Sequence, residues 1–98
     1  MAAKPFSAQE ALEWGLVNQV LPQSDLADAA IEAAMAIAAN APIAVRQAKQ
    51  AIHRGLQMSL NDALTFEIEA YNRTVPTEDR REGVLAFNEN RKPAFKGR

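Results

Sequence analysis

The sequence has no cysteine and only one histidine, one tryptophan and one tyrosine. Without cysteine there is no disulfide framework and no thiolate metal site. That fits a reducing compartment, and a cytoplasmic location is the expectation. His53 has no carboxylate two or three turns away on its helix face, so it lacks a partner for a triad or a metal site. No G-x-G-x-x-G or Walker-type loop is present, and no paired Cys/His spacing. Long apolar runs are also missing. The longest, Leu26 to Ala39, is interrupted by Asp28 and Glu32 and does not read as a membrane span. No basic start followed by an apolar run marks a signal peptide. A net charge of −1 argues against a general nucleic-acid binder.

Alanine is abundant instead. It supplies 20 of the 47 apolar residues, which favours helices but buries little area per residue. The core is therefore expected to be thin, with apolar faces that need a partner outside this chain. Charge is unevenly spread. Before Arg46 there is one cation, Lys4, against Glu10, Glu13, Asp25, Asp28 and Glu32. From Arg73 to Arg98 there are seven basic and four acidic residues. A basic tail is a solvated surface or a holder of a phosphate-bearing ligand.

Local signals divide the chain into helices. Ser7-Ala8-Gln9-Glu10 is a capping-box pattern opening a short helix to Trp14, which Gly15 stops. Leu16 to Leu21 reads as one short strand closed by Pro22, with no partner strand in the chain; it is either an extended connector or a strand whose partner lies upstream. Ser24 or Asp25 opens a helix with Leu26, Ala29, Ala30, Ala33, Ala34 and Ile37 at 3–4 spacing. Pro42 suits the first position of a third helix, with Ile43, Ala44, Ala48, Ala51 and Ile52 inward and Gly55 as its stop. Ser59 opens a fourth, with Leu60, Ala63, Leu64, Ile68 and Tyr71 on one stripe. Thr77 caps a last helix, which Pro93 ends. The expectation is a mainly α fold of four to five helices with at most one short strand segment.

A catalytic centre is hard to assemble from these residues. Glu67 and Glu69 are two apart on a helix and point in different directions. Asp79 and Glu82 lie beside Arg80 and Arg81 and read as a solvated, salt-bridged face.

Three blocks carry a resemblance. Ala8-Gln9-Glu10-Ala11 through Gly15-Leu16-Val17-Asn18-Gln19-Val20 is similar to the "A-x-E-A-x-x-x-G-L-V-N-x-V" run of the enoyl-CoA hydratase/isomerase (crotonase) superfamily. Ala41-Pro42 with Ala44 and Lys49 resembles the following "A-P-x-A…K" helix. Asp79-Arg80-Arg81-Glu82-Gly83 with Ala86-Phe87, Arg91-Lys92-Pro93 and Phe95 resembles the closing "D-x-x-E-G-x-x-A-F-x-x-K-R-x-P-x-F" block. The blocks occur in family order and span Ser7 to Lys96.

The resemblance implies that residues 1–98 are the C-terminal helical region of a crotonase-like fold, without the catalytic spiral core. It implies an acyl-CoA substrate, no cofactor, and a homo-oligomeric trimer or hexamer. The segment would supply subunit interface, pocket cover and contacts to CoA. Enoyl-CoA hydratase is the leading activity of the parent enzyme, with isomerase, dehalogenase or hydrolase as alternatives. The family's oxyanion loop, needed to stabilise the thioester enolate, and its catalytic carboxylates match nothing here. No catalytic residue and no metal ligand is therefore assigned, and the isolated chain is expected to be inactive. For CoA, the resemblance points to Tyr71 near the nucleotide, with a place in the helix core as its other reading. Arg91, Lys92 or Lys96 can stand in for a phosphate-binding lysine, since any cation pairs with phosphate, and Arg91 is equally a structural residue. Asn90 stands where many members carry a lysine. The rival to an enzyme segment is an independent helical interaction module. A helix-turn-helix DNA binder would need a basic recognition helix, which the alanine-rich stretch from Ala29 to Ala39 does not offer.

Overall fold

A computed structural model describes residues 3–98. Five helices form: α1 (Ala8–Glu13), α2 (Leu26–Ala38), α3 (Pro42–Gly55), α4 (Leu60–Asn72) and α5 (Glu78–Asn88). The chain divides into two compact units, Met1–Ala33 and Ala34–Arg98, with the boundary inside α2.

In the first unit, the capping box forms as expected. The Glu10 amide donates to Ser7 Oγ at 3.1 Å, and the Ser7 amide donates to Glu10 Oε2 at 2.7 Å. The Ser7 amide, followed by the Ser7 hydroxyl, holds the Glu10 carboxyl below its ordinary pKa. Phe6 packs on Trp14 with ring centroids 5.3 Å apart. The helix ends in a Schellman motif: Gly15 N donates to Leu12 O, and Leu16 N donates to Ala11 O. Gly15 takes the required left-handed backbone, φ +73°. No strand follows. Residues 16–22 are irregular, because a strand needs a neighbour to bond with and no described segment supplies one. Ser24 and Asp25, the two expected caps of α2, hydrogen-bond each other at 2.6 Å. No residue of α2 is buried, so its apolar stripe lies uncovered.

In the second unit, Asn40 closes α2, donating from Nδ2 to Ala36 O at 2.9 Å and Ile37 O at 3.3 Å. Pro42 starts α3, where its missing N–H costs nothing. Gly55 is the last residue of α3, and Leu56 caps the helix with a right-handed backbone. A Cβ at Gly55 would stand in ordinary contact, 3.5 Å from Ala63 Cβ on α4. The main helix pairing among the described residues is α3 on α4. Ser59 caps α4, accepting from the Asp62 amide at 3.3 Å. Thr77 caps α5, accepting from the Arg80 amide at 3.1 Å.

The end of α5 differs from the expectation that Pro93 terminates it. Asn90 takes a left-handed backbone, φ +52°. Its amide bonds Phe87 O while the Arg91 amide bonds Ala86 O, a Schellman motif with asparagine in the usual glycine position. The strap that follows, Arg91–Arg98, lies along α5. A Cβ on Gly83 would be 3.6 Å from the Phe95 ring, and one on Gly97 would be 3.6 Å from Pro42 Cγ.

Among the described residues, the buried apolar ones are Ala11, Ala70 and Ala86. Large apolar side chains stay open, including Phe87 at 82%, Leu60 at 74% and Ile52 at 64% exposure. Ala48 and Ile52, expected to face inward on α3, are exposed. The reason is geometric: α3 meets only one helix extensively, and alanines at the contact bring the backbones close without covering the longer side chains beside them. Among the described residues, no single helix is long and apolar enough to cross a membrane.

Candidate functional site

The α3–α4 pair forms a groove of about 640 Å³. Its small residues recur at helical spacing, Ala44, Ala48 and Ala51 on α3 with Ala63 and Ala70 on α4. Ile52, Leu60, Leu64 and Tyr71 rise beside them. The volume falls in the range of small-molecule sites. Two polar side chains, Gln47 and Glu67, also line it. Gln47 Oε1 is desolvated and has no hydrogen-bond partner. A desolvated acceptor without a donor is costly, and the groove offers it none.

The second feature is the strap along α5. Asp79 is 2% exposed. Its Oδ1 accepts from the Lys96 amide at 2.6 Å and its Oδ2 from the Gly97 amide at 2.8 Å. The Asp79 amide donates to Arg98 O at 3.1 Å. One turn along α5, Glu82 accepts from Arg91 Nη1 at 2.6 Å and Nη2 at 3.1 Å, and from the Ala94 amide at 2.7 Å. Arg91 Nε also donates to Glu89 at 2.6 Å. The Arg91 hydrogen bonds, then the Ala94 amide, hold the Glu82 carboxyl at a pKa of about 2, against an ordinary 4.5. Glu82 and then Glu89 push the Arg91 guanidinium further up. Asp79 and Glu82 thus do not form the solvated face expected from their arginine neighbours. Their i, i+3 spacing puts both on one side of α5, and that side faces the strap.

The four residues expected to meet CoA fall on two features, the groove and the strap. Tyr71 lies on α4 in the groove, 55% exposed, with the Arg80 guanidinium 5.8 Å from its ring centroid. Arg91, Lys92 and Lys96 lie on the strap, and none of them lines the groove. Arg91 is engaged by two carboxylates. Lys92 and Lys96 have no ion pair among the described residues.

His53 is exposed near the end of α3. It shares a shallow depression with Arg46, Lys49, Gln50 and Arg54. The Arg54 guanidinium rests 5.3 Å over the Phe66 ring. Charge counting over long stretches missed this basic face, although the span of α3 holds three Lys or Arg and no acid. Sequence reasoning also missed Asp79 and Glu82 as anchors. Their spacing ahead of an acid-free basic tail was the available signal. Among the described residues, no three His, Cys, Asp or Glu side chains group as a metal site.

Comparison with known proteins matches the enoyl-CoA hydratase/isomerase family model over residues 1–98. The short-chain-enoyl-CoA hydratase of Clostridium acetobutylicum is 46% identical, over 98% of this chain and 37% of its own length. The human mitochondrial methylglutaconyl-CoA hydratase is 40% identical, over 98% of this chain and 30% of its own. The crystal structure of an enoyl-CoA hydratase from Bacillus anthracis superposes with a TM-score of 0.90 at 50% identity, covering 93% of this chain and 35% of that one. The chain therefore spans about a third of the length of the relatives it matches. With a family model matching from end to end, and five helices of matching shape in a solved relative, the chain belongs to the enoyl-CoA hydratase/isomerase family.

Proposed function

We propose that this chain is the C-terminal helical part of an acyl-CoA-processing enzyme that adds water reversibly to a 2-enoyl-CoA thioester. The observation that carries the reading is the similarity to hydratases that act, by their names, on enoyl-CoA and methylglutaconyl-CoA. In this reading the 98 residues supply subunit interface, pocket cover and contacts to the CoA nucleotide, within a cytoplasmic trimer or hexamer. The catalytic groups come from the rest of the protein.

The open groove supports a covering role. Ile52, Leu60 and Leu64 are still 64%, 74% and 49% exposed, and burying them against another surface would gain roughly 1–2 kcal/mol each. Tyr71, on the same groove, would pack against the adenine. Lys92 and Lys96 would face the phosphates.

The test compares the 98-residue chain with the full-length protein on crotonyl-CoA. Turnover is expected only from the full-length protein, with solvent oxygen entering the product. Turnover by the 98-residue chain would refute the division of labour. A double-bond shift without oxygen uptake would replace the hydratase reading with an isomerase one.

A further inference from the structure

The strap carries four cations, Arg91, Lys92, Lys96 and Arg98, and no acid. The structure divides them by type. Both arginines are anchors, Arg91 on Glu82 and Glu89, and Arg98 on Glu78 at 2.9 Å. Neither lysine makes an ion pair within 4 Å among the described residues, although Lys96 shares a shallow depression with Glu78, Asp79 and Glu82. Each lysine is also bracketed. The residues holding Glu82 are Arg91 and Ala94, on either side of Lys92. The amides holding Asp79 belong to Lys96 itself and to Gly97.

We propose that Asp79 and Glu82 are positioning residues, holding the strap so that Lys92 and Lys96, and not Arg91, meet the phosphates at the nucleotide end of the substrate. The inference rests on the acyl-CoA reading above and deepens it. Arg91 makes a poor anion ligand here because two carboxylates already outweigh its charge. A planar guanidinium fork suits the carboxylate clamp, whereas an ammonium acts as a point charge toward a mobile phosphate. Asp79, almost sealed from water, holds the backbone at Lys96 before any ligand arrives. Less ordering entropy is then lost on binding.

The test uses the full-length protein and the ratio of kcat/KM for acyl-CoA to that for acyl-pantetheine, which lacks the nucleotide. Lys92→Ala and Lys96→Ala are each expected to lower the ratio, up to about tenfold for a charge-assisted contact. Asp79→Asn and Glu82→Gln should lower it comparably while leaving kcat unchanged and speeding hydrogen exchange in the strap. The double variant Asp79→Asn/Lys96→Ala should be no worse than Lys96→Ala alone, because the aspartate acts through the lysine. If Asp79→Asn fails to assemble, the parallel pair Glu82→Gln and Glu82→Gln/Lys92→Ala carries the test, at a less buried carboxylate. Calorimetric titration with CoA itself gives the same ranking without turnover, so a wrong reaction is distinguishable from a wrong clamp. If the lysine variants lower the ratio and the clamp variants loosen the strap without lowering it, the clamp is structural only and the inference is overturned. If neither lysine variant changes the ratio or CoA affinity, the strap's phosphate role fails, and the positioning role with it.

Discussion

Replacing Asp79 with alanine is the sharpest perturbation of this structure. The carboxylate receives two backbone amides, Lys96 at 2.6 Å and Gly97 at 2.8 Å, and is 2% exposed. A hydrogen bond to a charged group contributes about 1.5–3 kcal/mol, so losing both would cost roughly 3–6 kcal/mol if the strap stayed in place. It need not stay. The strap has no regular secondary structure of its own and can lift, which returns the two amides to water and caps the loss at its docking energy. Taking about 3 kcal/mol, exchange of the Lys96 and Gly97 amides should accelerate about a hundredfold or more, since each 1.4 kcal/mol is a factor of ten. Amides in the middle of α4 should change little, because the opening is local. Hydrogen exchange of the full-length variant, resolved to the strap, reads this directly. Unchanged strap exchange, or acceleration spread evenly over α4, would refute the clamp.

Three further outcomes follow from the same structure. The depressed Glu82 pKa means that its contribution is fully present above the ordinary value of 4.5 and is lost as pH falls toward about 2. A carboxyl NMR titration of Glu82 with a midpoint near 4.5 would show that the Arg91 contact does not hold in solution. Gly15→Ala forces a Cβ into the left-handed region at φ +73°, where open space removes any clash but not the backbone cost. Stability should drop by about 1 kcal/mol, and a melting temperature equal to the wild type would contradict the Schellman stop. The isolated chain, with its apolar groove and uncovered α2 stripe, should self-associate and bind an apolar dye. A strict monomer at high concentration with no dye signal would count against the exposed faces.

Helix starts and stops were legible in the sequence because their causes are local. Ser7, Ser59 and Thr77 cap helices through bonds that reach three residues, and Gly15 and Pro42 act through their own backbone torsions. One stop was misread. Pro93 is a familiar terminator, but Asn90 closed α5 first with a left-handed backbone, and a residue type alone does not say which candidate closes a turn. At Leu16 to Leu21 the sequence left strand and extended connector open, and the connector holds among the described residues for a non-local reason, since a strand exists only against a neighbour.

The candidate site was legible only in part. The family resemblance pointed to Tyr71, and charge counting in the basic tail pointed to Arg91, Lys92 and Lys96. Tertiary structure decided how these residues divide. It buried Asp79 across a separation of 17 to 18 residues, and it spent Arg91 on Glu82 nine residues away. It put Tyr71 on a groove that Arg91, Lys92 and Lys96 do not line. It also left the apolar stripes of α2, α3 and α4 open, although their spacing is that of buried faces. Periodicity specifies that a face is apolar. Whether another surface covers it depends on where the neighbouring elements pack, and in this chain alanine seams bring α3 and α4 together without closing over the larger side chains beside them.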